Sequence, residues 1–127
     1  MHKNKLLGLG LLAVLSLSLL SQLFAQDVQK VTITLAEISK TEFTLTPKEV
    51  TVKPGKVQFT LINKGAGNHN LSIKPKDKEV RLVRAEVGKS ETSEAIDLTA
   101  GEYEIYCSLT SGGSHKDRGM NGKLIVK

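Results

Sequence analysis

The chain holds few of the side chains that carry metal and redox chemistry: one cysteine, three histidines and two methionines among 127 residues. A single cysteine excludes an internal disulfide. It also needs a reason to exist in an exported protein, because an exposed thiol outside the cytosol oxidises or pairs with another chain. Burial as an inert small hydrophobe is one reason, and capture by a metal ion, which holds and shields the thiolate, is another. No internal repeat and no low-complexity segment interrupts the sequence. Beyond the first 25 residues no helical period is present either, which excludes a bundle or a mixed α/β domain.

Basic clusters are equally scarce. The formal charge of +5 falls to +3 if Lys3 and Lys5 leave with an N-terminal leader, and the remaining charge is spread along the chain. That pattern argues against nucleic acid as a partner. Lys74, Lys76, Lys78, Arg81 and Arg84 form the densest run, read as a solvated loop or strand face, with a docking patch for an acidic partner as the alternative.

The N-terminus reads MHKNK, then an apolar run from Leu6 to Leu15, then a Ser-dotted stretch that closes in Leu23, Phe24 and Ala25. A short basic start, an apolar middle and a small residue at the junction predict a secretory signal over residues 1–25. The alternative is an uncleaved anchor, since Leu6 to Gln26 carries no charge and approaches the length of a membrane span. Either way the expectation is an exported protein, periplasmic or otherwise extracytoplasmic, touching a membrane only if the leader is retained. One domain remains, residues 26–127, about 100 residues long and able to bury one modest core.

Period-two alternation dominates that domain. It runs through Val31–Leu35 (VTITL), Val57–Asn63 (VQFTLIN), His69–Lys74 (HNLSIK), Tyr103–Cys107 and Lys123–Val126, with shorter extended pieces at Phe43–Leu45, Val50–Val52 and Ser93–Leu98. Lys76–Ala85 is the least legible part, read as a loop and an irregular strand. Turn signals such as Lys53-Pro54-Gly55-Lys56 separate the runs. Seven to eight short strands of this kind predict an all-β fold, a Greek-key β-sandwich or barrel.

The scarce residues then become informative. With Met1 and His2 in the leader, the domain retains His69, Cys107, His115 and Met120. Three of them lie on one Gly- and Ser-rich stretch, CSLTSGGSHKDRGM, and His69 follows the loop NKGAGN. A thiolate, two imidazoles and a thioether form a soft donor set suited to copper cycling between Cu(I) and Cu(II).

In this order of motifs, His69-Asn70 upstream and Cys107, His115 and Met120 ahead of the closing GKLIV, the chain resembles the cupredoxins, small type 1 copper proteins of the plastocyanin and azurin kind. The resemblance implies one type 1 copper ion, with His69, His115 and Cys107 in a trigonal plane and Met120 as a long axial ligand. It implies that Asn70 bonds the loop carrying Cys107 at Ser108, and that the Asn68 carbonyl approaches the metal opposite Met120. The seven residues between Cys107 and His115 make that loop longer than in plastocyanin-like or azurin-like members, whereas the four between His115 and Met120 match the plastocyanin pattern.

The function implied is one-electron transport by a monomer that is not an enzyme. Its partners would be redox proteins, a cytochrome, oxidase or reductase, docking transiently near His115 as the electron port. The alternative is a copper-binding module for storage, delivery or resistance. A copper enzyme would need further histidines, and a dinuclear site would need a second cysteine on the loop. A metal-free sandwich that binds a protein or glycan, with these residues coincidental, is the remaining reading.

Overall fold

In the sequence VTITLAE every second residue is apolar, and a pleated strand turns such a row to one face. A computed structural model describes residues 27–127, and there this segment lies within β1 (Gln29–Glu37), with Val31, Ile33 and Leu35 buried. The expected leader at residues 1–25 lies outside the described residues. The same logic forms β4 (Gly55–Asn63), whose inward row is Val57, Phe59, Leu61 and Asn63. β1 and β4 pair in parallel, with Val31 opposite Phe59 and Ile33 opposite Leu61, so the two rows stack on one face.

β2 (Phe43–Thr46) runs antiparallel to the far side of β1, and Phe43 sits opposite Glu37. On the other side of β4 pair two short strands, β7 (Ser90–Thr92) and β8 (Ile96–Leu98), which completes the first sheet. The second sheet has the order β3-β10-β9-β5-β6. Its strands are β3 (Glu49–Val52), β10 (Asn121–Val126), β9 (Gly101–Tyr106), β5 (His69–Lys74) and β6 (Val80–Ala85). Both sheets are mixed, since β1 with β4 and β3 with β10 are the parallel pairs and the others are antiparallel. Leu71, Ile73, Ile105, Leu124 and Val126 of the second sheet join the rows of the first in one core. Each such side chain stabilises by about 1.5–3 kcal/mol relative to its exposed state.

The all-β sandwich expected from the alternation is therefore what the described residues form, divided more finely into ten strands. The extra division has a local cause at Ser93. Its hydroxyl accepts the Phe59 N–H at 3.0 Å while its own N–H donates to the Phe59 carbonyl at 2.8 Å. This side-chain bond interrupts the edge beside β4, leaving β7 before it and β8 after it. β7 is fully exposed, so it shows no alternation in sequence. Lys76–Ala85, hard to read from sequence, resolves into a turn followed by β6, with a bulge opposite Leu71 and Ser72. Among the described residues no helix is long and apolar enough to cross a membrane.

Gly119 ends the long loop ahead of β10 with φ +112°, in the region that favours glycine. A Cβ there would press on the Phe43 carbonyl oxygen, which is backbone and cannot move aside cheaply. Gly119→Ala should therefore lower stability by about 1–3 kcal/mol, read as a shift of the denaturant midpoint without a change in slope; an unshifted midpoint would show that the loop end is not held in this conformation.

Candidate metal centre

His69 opens β5, Cys107 directly follows β9, and His115 and Met120 lie on the connection from β9 to β10. Because β5 and β9 are neighbours in the second sheet, with Ser72 opposite Tyr106, residues distant in sequence arrive at one end of the sandwich. His69, Cys107 and Met120 are fully buried and His115 is 5% exposed. The donor atoms of His69, Cys107 and His115 converge. The two Nδ1 atoms are 3.1 Å apart, and the Cys107 Sγ is 3.8 Å from that of His69 and 3.6 Å from that of His115.

Backbone bonds hold the loop closed around these side chains. The Cys107 N–H donates to the Met120 carbonyl at 3.0 Å, and the Met120 N–H donates to the His115 carbonyl at 3.1 Å. Asn70 staples the neighbouring strand to the loop: its Oδ1 accepts the Ser108 N–H at 2.8 Å and its Nδ2 donates to the Ser108 Oγ at 2.9 Å. Ser72 also donates to that oxygen. The bond from Asn70 to Ser108 is as the family resemblance implied. It also explains why β5 is buried on both faces although four of its six side chains are polar.

Phe43 packs edge-on against both imidazoles, with ring centroids 5.1 Å from His115 and 6.1 Å from His69. The Arg118 guanidinium lies over the other part of Phe43, 5.2 Å from the ring centroid, and also donates to the Gly112 carbonyl. Gly113, with φ +115°, leaves room for that guanidinium, since a Cβ there would meet it.

The far sides of the two rings decide the chemistry. His69 Nε2 is 2.7 Å from the Glu37 carboxylate, and His115 Nε2 is 2.9 Å from the Ser111 carbonyl. A carbonyl can only accept, and so can an ionised carboxylate, so both Nε2 atoms carry the proton. In the neutral rings both Nδ1 atoms then present lone pairs to each other. The Cys107 thiol can donate one proton to one of them, which leaves the other facing a second acceptor. Such an arrangement calls for a cation. A point equidistant from the two Nδ1 atoms and the sulfur lies about 2.0 Å from each, close to the roughly 2.0–2.3 Å of first-row metal bonds to nitrogen and sulfur. These side chains fit one copper ion.

Glu37 and Ser111 were not singled out from sequence. Ser111 contributes backbone, which sequence hides. Glu37 did leave a signal: the inward row Val31, Ile33, Leu35 continues to it with the same period, placing a carboxylate on the core-facing side.

The surrounding charges tune these groups. Burial pushes the Cys107 thiol above its ordinary range, with bonds from nearby amides opposing it only in part. Burial pushes His69 down; the hydrogen bond and charge of Glu37 offset some of this, and nearby His115 adds to the lowering. For Glu37 burial acts upward, but the Ala66 amide, the His69 ring and the Gly67 amide outweigh it and hold the carboxyl below the usual range.

Known proteins share this fold. The family model for the cupredoxin-like domain matches residues 8–126. Reduced auracyanin from the photosynthetic bacterium Roseiflexus castenholzii superposes with a TM-score of 0.60 at 20% identity, covering 78% of this chain and 97% of auracyanin. Amicyanin from Paracoccus versutus gives 0.54 at 22% identity, covering 77% and 81%. A multi-copper oxidase from Pseudomonas thermotolerans gives 0.61 at 13% identity, covering 81% of this chain but 30% of the oxidase. At these identities the likeness is one of fold. No curated protein matches the sequence significantly.

A thiol raised above its ordinary pKa keeps its proton at pH 7, and a lowered imidazole has none to lose. Binding of Zn(II), a redox-inert probe, should therefore release one proton from Cys107 near neutral pH, with apparent affinity rising about tenfold per pH unit. A pH indicator in weakly buffered solution reads this directly, and metal binding without proton release would exclude the thiol as a ligand.

Proposed function

The chain belongs to the cupredoxin-like domain family, and from that premise we propose that it is an exported type 1 copper protein carrying single electrons between redox partners. In this reading His69 and His115 supply the imidazoles, Cys107 the thiolate and Met120 the axial thioether. The observation that carries it is the convergence of two lone-pair nitrogens, each ring anchored from behind, and one sulfur at separations that one metal ion can bridge. Bound copper would supply a one-electron couple.

The residues do the rest by holding still. Ligands fixed on a sandwich move little between oxidation states, so the barrier to electron transfer stays low. His69 is held by β5 and Glu37, and His115 by Ser111 and Phe43. Among the described residues one group of side chains, His69, Cys107 and His115, could hold a metal ion, and the carrier reading uses that one centre. A lone cysteine kept fully buried is also compatible with export, the destination expected from residues 1–25.

The long loop changes the electron port. The stretch Leu109–Gly113 folds over His115, with the Gly113 N–H on the Thr110 carbonyl and the His115 N–H on the Leu109 carbonyl. The imidazole edge is thereby covered, and the bond to the Ser111 carbonyl is its link toward the surface. A shallow cleft of about 440 Å³, lined by Phe43, Asn68, Arg84, Leu109 and Ser111 among others, opens beside it. We place partner docking there, next to His115 as in the family. Its rim is polar, which favours brief, salt-sensitive encounters over a tight complex.

Cyclic voltammetry of the copper-loaded protein tests the carrier reading: a reversible one-electron wave with slow copper loss to a chelator is expected, and rapid loss without such a wave would favour delivery or storage. Cys107→Ser should abolish the visible colour while far-UV circular dichroism stays β-type; retained colour would refute the thiolate assignment. Met120→Leu should keep copper and raise the potential by roughly 60 mV, the equivalent of a tenfold loss of Cu(II) relative to Cu(I) affinity, and an unchanged potential would remove Met120 from the axial position.

A further inference from the structure

Glu37 lies on β1 in the first sheet, whereas the candidate metal ligands belong to the second sheet and its loop. Its carboxylate nevertheless reaches the centre and makes three bonds there. Oε1 meets His69 Nε2 at 2.7 Å and accepts the Gly67 N–H at 3.3 Å, while Oε2 accepts the Ala66 N–H at 2.6 Å. The side chain is 17% exposed and its imidazole partner is wholly buried. Among the described residues no lysine or arginine ion-pairs with it, and His69 and the two amides compensate its charge.

We infer that Glu37 is a positioning residue of the copper centre, fixing the His69 tautomer and placing a negative charge behind that ring so that Cu(II) is favoured over Cu(I). The inference rests on the copper reading above. Its physical basis is twofold. An anionic acceptor bonded to Nε2–H holds the proton on that nitrogen and makes the opposite nitrogen a stronger donor. A fixed negative charge one ring away from the metal also stabilises a doubly charged ion more than a singly charged one, and partial burial keeps water from screening it. The amide bonds add a mechanical part, tying the loop that delivers His69 to the first sheet.

Three variants separate charge from mechanics. Glu37→Gln keeps an acceptor for Nε2–H and removes the charge. Glu37→Asp keeps the charge with a shorter reach. Ala66→Pro removes the shorter amide bond and leaves the charge in place. Glu37→Gln is expected to bind one copper and stay coloured, with Cu(II) affinity about 10- to 100-fold lower. Its potential should rise by about 59 mV for each tenfold loss specific to Cu(II). Glu37→Asp should recover part of the difference, and Ala66→Pro should stay near the wild-type potential. A wild-type potential in Glu37→Gln overturns the inference, and so does an Ala66→Pro shift as large as that of Glu37→Gln, since anchoring alone would then account for it.

A second readout needs neither copper nor a variant. Long-range proton–nitrogen NMR of the metal-free wild-type protein should find the His69 ring proton on Nε2, and a proton on Nδ1 would overturn the inference even if Glu37→Gln failed to fold. Failure of the copper reading itself looks different: wild-type protein given Cu(II) would then show no thiolate colour at all.

Discussion

Two lone pairs that face each other across 3.1 Å, with a sulfur beside them, are the constraint on which this molecule depends. Without a positive charge between them the contact is unfavourable. It persists because each imidazole is held from its far side by an acceptor that does not give up its position. The Ser111 carbonyl is fixed by the turn around Gly112 and Gly113, and the Glu37 carboxylate by two backbone amides. Strain of this kind is tolerated where the surrounding structure over-determines the geometry. Here the surroundings are the shared apolar core of two sheets, from Val31 to Val126.

The division of labour between the sheets follows from that constraint. The second sheet brings His69 and Cys107 together because β5 and β9 are adjacent, and the link from Asn70 to Ser108 locks strand to loop. The first sheet supplies no candidate ligand. It contributes Glu37 behind one ring and Phe43 against both, from neighbouring positions on β1 and β2. A ligand set arising on one sheet and braced by the other can shift little unless the sandwich itself opens. Small displacement on a change of charge is what a one-electron centre needs.

Much of this was legible in the sequence because two of its signals are local. Alternation in VTITL and VQFTLIN marks buried rows without reference to the rest of the chain. Scarcity of Cys, His and Met narrowed the donor set to four residues, of which the structure brings three donor atoms together and joins Met120 to them through its backbone. The hidden parts are those that depend on distant partners. Ser72 looks like the solvent face of a strand until Ser108 arrives from 36 residues away, and Asn70 was legible only through the family resemblance. Ser111 acts through its carbonyl, to which any residue type could be attached. Glu37 bears on His69 across 32 residues, and only its place at the end of an inward row betrayed it. The division between β7 and β8 depended on one hydroxyl replacing a ladder bond.

Whether nitrogen and sulfur share one metal ion decides what this protein is. Titration of the metal-free protein with Cu(II), followed together by visible absorption and electron paramagnetic resonance, puts that question most directly. Saturation is expected at one equivalent, with an intense thiolate-to-copper band and the small copper hyperfine splitting of a covalent sulfur bond. A weak d–d spectrum with the wide splitting of nitrogen and oxygen ligands, or binding that never saturates at one ion, would contradict a shared metal ion.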